Sequence, residues 1–330
     1  GLDARGVGRP DRPLCQDQRV VLFVAAMLAG LVLLALASDQ FVAGCSRLAS
    51  SFAVPALLIG VVVIGFGTSL PELLVSVVAA SQGLTDIAMG NVVGSTVANL
   101  TLVVGTAALL APLVVRGSTL RREAPISMAG IVLLAIMLQG GVSRIEGLIL
   151  VVAMALALTL ILVPASRSPT LVADDEAEEP SAGRGRLFEA GRTLLGLVGT
   201  LAGAQLLVWG ATSVADELEL NEGFVGLTLV ALGTSLPELF TAIQAARRNA
   251  VDLILGNVLG SNLFNVLAIA GIAALIEPAV LDERITQIAA GAMVVSGLAV
   301  FVMMRTGPRV VRWEGAVLLI GYAALLPFLA

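Results

Sequence analysis

The chain has 330 residues, 58% hydrophobic and 13% charged, with a net charge of −5 and a mean hydropathy of +0.99. Soluble domains carry about 25% charged residues, so an ordinary water-soluble enzyme is excluded. The sequence contains neither His nor Lys, which removes imidazole catalysis, imidazole metal ligation and a lysine base together.

Residues 1–19 are polar and arginine-bearing and read as an N-terminal tail. A membrane-crossing helix needs about 20 mostly apolar residues. Ten segments qualify, at roughly 20–38, 55–81, 86–111, 122–140, 145–163, 191–215, 222–246, 252–276, 285–304 and 311–329. Residues 38–52 read as a continuation of the first helix at the membrane surface, and the second and seventh segments carry internal breaks. Pro164 to Ala190 holds three prolines and the acidic run Asp174, Asp175, Glu176, Glu178 and Glu179. It reads as a solvated linker between two five-helix halves, 20–163 and 191–330. A calcium-sensing loop is the alternative, but the oxygen-ligand spacing of an EF-hand is absent. Most arginines near helix ends, among them Arg47, Arg116, Arg121, Arg186, Arg192, Arg248 and Arg305, fall on one side, which is then cytoplasmic. Both termini are expected outside and the linker inside. Cys15 and Cys45 are too far apart for a redox or metal motif. The arginines form no stripe with interleaved aromatics, so no nucleic-acid surface is expected.

The chain repeats itself. Gly67-Thr68-Ser69-Leu70-Pro71-Glu72-Leu73 recurs as Gly233-Thr234-Ser235-Leu236-Pro237-Glu238-Leu239, an offset of 166 residues (238 − 72). The same offset carries Asp86 to Asp252, Gly90-Asn91-Val92 to Gly256-Asn257-Val258, Gly94-Ser95 to Gly260-Ser261 and Asn99 to Asn265. Five spans per half is an odd number, so the second copy enters the membrane from the opposite face, the inverted architecture of secondary transporters. The expected fold is an all-α membrane protein of ten transmembrane helices in two inverted five-helix repeats, with the second and seventh helices broken.

The duplicated residues carry the chemistry. Glu72 and Glu238 fall inside apolar segments, where a charge is costly and normally faces the bundle interior or a water-filled cavity. Each follows a proline that interrupts the helix, so breaks are expected near Gly67-Thr68 and Gly233-Thr234, freeing backbone oxygens beside a carboxylate. Thr68, Ser69, Thr234 and Ser235 add hydroxyls, and hard cations such as Ca²⁺ and Na⁺ take oxygen ligands of this mixed kind. Ser69 to Glu72 also fits a capping box, and the two readings can coexist. Ser95 and Asn99, repeated as Ser261 and Asn265, share one helical face, either as interhelical glue or as ligands. Gly90-xxx-Gly94 and Gly256-xxx-Gly260 read as packing seams, Asp86 and Asp252 as helix N-caps, and Asn91 and Asn257 as support for packing or access. Two carboxylates balance one divalent or two monovalent cations, and a proton is the competitor.

Paired Gly-Thr-Ser-Leu-Pro-Glu segments, each followed by Gly-Asn-Val-x-Gly-Ser-x-x-x-Asn, resemble the two alpha-repeats of the prokaryotic type of the sodium/calcium exchanger family, within the cation/calcium antiporter group. The resemblance runs from about Val20 onward. It implies ten helices, an outside N-terminus, the cytoplasmic membrane of a prokaryote, and Na⁺-driven Ca²⁺ movement by alternating access, with no cofactor and no protein partner. It further implies that Glu72 and Glu238, with the carbonyls of Thr68 and Thr234, hold Ca²⁺. Ser69, Ser235, Ser95 and Ser261, with the carbonyls of Gly65 and Ala231, would line flanking Na⁺ sites, and Asn99 and Asn265 would flank the centre. Asn265 stands where potassium-dependent relatives carry Asp, which argues against potassium coupling. The absence of extra acids in the second motif of each repeat favours sodium over the alternative, an H⁺/Ca²⁺ antiporter. Other classes fit less well: a hydrolase built on Ser69 or Ser235 has no base, and a channel does not call for an inverted repeat with a carboxylate pair at mid-depth.

Overall fold

The computed structural model describes residues 16–52, 56–165, 185–217, 231–307 and 309–329. The expected tail (to residue 15), most of the 164–190 linker and the first part of the seventh segment lie outside these residues. What is described is almost wholly helical, as the long apolar runs dictate. In chain order the helices are α1 (Gln16–Phe52), α2 (Leu57–Thr68), α3 (Leu70–Ser81) and α4 (Thr85–Leu110), then α5 (Gly117–Arg121), α6 (Glu123–Leu138) and α7 (Arg144–Ala165). The second half contributes α8 (Arg186–Glu217), α9 (Ala231–Thr234), α10 (Leu236–Arg247), α11 (Val251–Ile276), α12 (Ile285–Thr306) and α13 (Arg312–Leu329). Among the described residues six helices are long and apolar enough to cross a membrane, or seven with the bent pair α2–α3 counted as one span.

Residues 38–52 do continue the first helix: α1 runs unbroken for 37 residues, about 55 Å at 1.5 Å per residue. Burial divides the helices. In α4 and α11, 78% of the apolar window is buried inside the protein, against 11% in α1 and 28% in α8. α4 and α11 therefore form the centre, and α1 and α8 present apolar side chains such as Leu28, Leu36, Leu195 and Val198 outward, as lipid-facing helices do.

Helix α1 packs along α8, and glycines set the distance. A methyl group on Gly196 would come within 2.6 Å of Phe41 N, and one on Gly30 within 2.6 Å of Leu207 N. One on Gly203 would likewise meet Leu34 N at 2.6 Å. Partners descend along α8 as residues ascend along α1, so the pair is antiparallel. The contacts also exchange under the 166-residue offset, because Gly30 corresponds to Gly196 and Phe41 to Leu207. Such close approach needs small residues.

The same exchange recurs elsewhere. Gly105 lies against the carbonyl of Gly315, and Gly271 against that of Gly147. The two-stranded sheet β1 (Leu113–Val114) with β2 (Arg309–Val310) pairs Leu113 with Val310. Its counterpart joins Val142 to Ala279 by two backbone hydrogen bonds of 2.8 and 3.0 Å. These short ladders satisfy backbone groups where helices end and tie the end of one half to the other.

Arginines hold one end of the bundle. Arg47 pairs with Glu189 at 3.1 Å, Arg248 with Asp39 at 2.7 Å and Arg116 with Asp252 at 3.0 Å, and Arg186 donates to Ser51 O at 2.7 Å. The N-cap expectation for the two aspartates is corrected here. Leu84 and Ala250 occupy the cap positions, without side-chain capping bonds. Asp86 instead accepts the Asp282 N–H at 3.0 Å, and Asp252 takes Arg116. Each aspartate serves the opposite half, because a tertiary partner with a full charge or a free N–H outcompetes a local cap.

Gly196→Val should lower the thermal midpoint of the detergent-solubilised protein, as overpacking costs about 1–3 kcal/mol. Gly191→Ala, where a methyl meets nothing within 4 Å, should leave it unchanged or raise it. Equal effects in a thermal unfolding assay would contradict the glycine-set spacing.

Candidate metal centre

The two signature segments each place a carboxylate just after a helix break. In the first half the break falls at Ser69, one residue beyond the expected Gly67-Thr68, where ψ turns to 11° before Leu70 and Pro71 start α3. The axes of α2 and α3 differ by 44°. Ser235 repeats this with ψ near 1° before Leu236 and Pro237. Proline suits the first turn of the new helix because its missing N–H is unpaired there anyway, and it places Glu72 and Glu238 in that first turn.

Both glutamates are fully buried, and the Ser69 hydroxyl, three residues before Glu72, reaches Glu238 Oε1 at 3.0 Å. No ion pair among the described residues reaches either of them, and the arginine pairs sit at the bundle ends. Burying an ion still costs several kcal/mol after relaxation, so a buried carboxylate pair without a basic partner demands cations or protons.

The surrounding oxygens are mostly without partners. Both carboxylate oxygens of Glu72, Oε2 of Glu238, the hydroxyls of Ser95 and Ser235, and the side-chain amides of Asn99 and Asn265 have no hydrogen-bond partner among the described residues. Buried polar groups are nearly always paired, and here the exceptions concentrate on the duplicated residues. Thr234 lies beside Glu72, and Thr68, Ser69 and Ser261 lie beside Glu238. The described residues contain no group of three or more Asp, Glu, His or Cys suited to a metal. Two carboxylates among neutral oxygens suit hard cations.

The capping-box reading falls. Ser69 is the N-cap residue of α3 but caps nothing; its hydroxyl donates to Glu238 Oε1 at 3.0 Å, across to the other half. Glu72, in turn, does not reach back to Ser69. Ser261 Oγ donates to Gly65 O at 3.1 Å, bringing together a hydroxyl and a carbonyl 196 residues apart in sequence. Glycine is required at 65, since a methyl there would sit 2.8 Å from Ser261 N. The expected seam exists in the second half, where Gly256 and Gly260 meet Gly60 and Val61. In the first half the residues that the 166-residue offset would place against Gly90 and Gly94, at 226 and 227, lie outside the described residues.

Three features escaped the sequence. Helical register widens to π-helix at Gly60–Gly65, Asn99–Val103 and Phe264–Ile269, so Gly65, Asn99 and Asn265 all sit in or at the start of such segments. π-turns shift side chains and loosen backbone carbonyls, and they gather at functional sites. No local signal marks them, although a polar residue inside an apolar run is a hint. Second, Asn91 and Asn257 are cross-links. Asn91 Nδ2 donates to Glu72 O at 3.2 Å and Ser76 Oγ at 3.0 Å, while its Oδ1 lies 3.5 Å from Thr234 Oγ1. Asn257 Nδ2 does the same with Glu238 O at 3.4 Å and Thr241 Oγ1 at 3.1 Å, with Thr68 Oγ1 at 3.3 Å from its Oδ1. Third, Thr68 Oγ1 donates its hydrogen to Ile64 O at 2.9 Å, which leaves the lone pairs of the hydroxyl facing away from that carbonyl.

Comparison with known proteins gives the family. The family model for the sodium/calcium exchanger protein matches residues 22–163 and again 189–330. The chain belongs to the sodium/calcium exchanger family. A putative antiporter, CaxA, of Alkalimonas amylolytica is 37% identical over 91% of this chain and 97% of its own length. The sodium/calcium exchanger MaX1 of Methanosarcina acetivorans is 30% identical over 91% of this chain and 96% of its own. The solved sodium-calcium exchanger NCX_Mj, soaked with Na⁺ and Sr²⁺, superposes with a TM-score of 0.83 at 31% identity, covering 93% of this chain and 99% of that one. This exchanger is therefore an integral membrane transporter and not an enzyme.

In this exchanger Gly65→Ala should push Ser261 away from the Gly65 carbonyl, lowering stability by about 1–3 kcal/mol and shrinking any stabilisation by added Na⁺. Thermal unfolding with and without Na⁺ measures both; an unaltered Na⁺ shift would show that the close approach does not shape the site.

Proposed function

We propose that this protein exchanges Na⁺ for Ca²⁺ by alternating access, with Glu72 and Glu238 as the central ligands. The observation that carries the reading is the pair of fully buried carboxylates among unpartnered oxygens, with no ion pair to either of them among the described residues. An occluded −2 charge is neutralised by one divalent or two monovalent cations, so the site can pass one species only by taking on the other. In this reading the carbonyls of Thr68 and Thr234 complete the Ca²⁺ shell. Ser69, Ser95, Ser235 and Ser261, with the Gly65 and Ala231 carbonyls, supply flanking Na⁺ positions, and Asn99 and Asn265 border the centre. The hydroxyl–carbonyl contact between Ser261 and Gly65 supports one such position.

The architecture goes with this function. We read the chain as ten spans in two inverted five-helix repeats, 20–163 and 191–330, joined by a cytoplasmic 164–190 segment with both termini outside. The antiparallel α1–α8 pair, the contacts that exchange under the 166-residue offset and the two separate family matches support it. The clustering of Arg47, Arg116, Arg186 and Arg248 at one end supports the orientation. An inverted repeat makes the outward and inward states near mirror images around a fixed site.

Na⁺-loaded proteoliposomes diluted into Na⁺-free buffer should accumulate labelled Ca²⁺, and Glu72→Gln or Glu238→Gln should abolish uptake while the protein still inserts. Uptake driven by a pH gradient alone would assign proton coupling instead. Retained exchange in both variants would remove the central assignment.

A further inference from the structure

We propose that Asn257 is a positioning residue that takes over the Ser261 hydroxyl hydrogen when a Na⁺ ion draws on the Gly65 carbonyl. This rests on the flanking-site reading above and adds the proton bookkeeping which that reading leaves open. Asn257 is buried to within 1% of full burial, and its orientation is chemically fixed. Glu238 O can only accept, so the amide nitrogen must face it, at 3.4 Å, together with Thr241 Oγ1 at 3.1 Å. The side-chain carbonyl is thereby aimed the other way, towards Ser261 Oγ at 3.4 Å and Thr68 Oγ1 at 3.3 Å.

Each of these hydroxyls has one hydrogen and a nearer acceptor: Gly65 O at 3.1 Å for Ser261 and Ile64 O at 2.9 Å for Thr68. A cation bound by both Gly65 O and Ser261 Oγ changes that choice. A hydroxyl ligates through its lone pairs, so its hydrogen must turn away from the ion and from the carbonyl that shares the ion. Two acceptors lie within reach of a rotated hydroxyl, Asn257 Oδ1 and the Glu238 carboxylate beside Ser261, and in this reading the carboxylate is itself committed to the ions. Without the amide oxygen the hydrogen would have to compete with the cation for that carboxylate, at the cost of one or the other interaction. The first half has the clamp but not the hydroxyl contact: Asn91 is held to Glu72 O and Ser76 Oγ with Oδ1 towards Thr234, while Ser95, the counterpart of Ser261, reaches no hydrogen-bond partner among the described residues.

The test is a double-mutant cycle on exchange in proteoliposomes, reading half-saturating Na⁺ and Ca²⁺ separately. Asn257→Ala should raise half-saturating Na⁺ by about tenfold, the weight of one lost charge-linked hydrogen bond, and move Ca²⁺ less than about twofold. Added to Ser261→Ala, the same change should have no further effect on Na⁺. A purely structural role would shift both ions alike, or would add in full to Ser261→Ala; either result overturns the proposal. Should Asn257→Ala fail to insert, Asn257→Ser in the same cycle with Ser261→Ala carries the same expectations. A wild-type protein without Na⁺-dependent Ca²⁺ uptake would instead reject the flanking-site reading itself.

Discussion

A pair of buried carboxylates, met by no basic side chain among the described residues, is the constraint around which this protein is organised. The chain contains no lysine or histidine, and Arg47, Arg248 and Arg116 are taken up by Glu189, Asp39 and Asp252. Charge in the interior must therefore be met by something that enters. Two carboxylates surrounded by hydroxyl, amide and carbonyl oxygens suit a cation that binds and leaves, because neutral oxygens complete a shell without adding the charge that would trap the ion.

Bringing Glu72 and Glu238 together has a structural consequence, since each half supplies one carboxylate and the halves must approach at backbone distance. Glycines make this feasible where α1 meets α8, where Gly256 and Gly260 meet Gly60 and Val61, and where Gly65 meets Ser261. Hydrogen bonds then cross the interface: Ser69 to Glu238, Ser261 to Gly65, and the Asn91 and Asn257 amides. Each buried glutamate is thus surrounded by groups from the other half as well as its own.

The broken helices do more than deliver glutamates. At Ser69 and Ser235 the chain leaves helical geometry for one residue and begins again with proline in the first turn. Upstream, the π-helical Gly60–Gly65 segment widens the coil before the break. Gly65 O and Ser69 O still accept the Ser69 and Leu73 N–H groups, at 3.4 and 3.1 Å, while the Ser261 hydroxyl also reaches Gly65 O and the Ser69 hydroxyl is turned to Glu238. The serine that local sequence marks as a cap is drawn instead to a carboxylate of the opposite half, because a hydroxyl bond to a buried charge is stronger than one to an exposed amide.

What local sequence alone determined here is considerable, and the reason is redundancy. Apolar runs of span length set the helices, the 166-residue repeat set their pairing into halves, and two copies of a proline-glutamate break in apolar surroundings singled out the site. The continuation of α1 to Phe52 and the burial of Glu72, Glu238, Ser95, Ser261, Asn99 and Asn265 were all legible there. Tertiary structure decided everything that depends on a partner distant in the chain. It turned Asp86 and Asp252 from caps into cross-half contacts, gave Ser69 to Glu238, and made Asn91 and Asn257 into clamps. A side chain's choice among competing hydrogen-bond partners is settled by distances of tenths of an ångström between segments, and no local pattern encodes those distances.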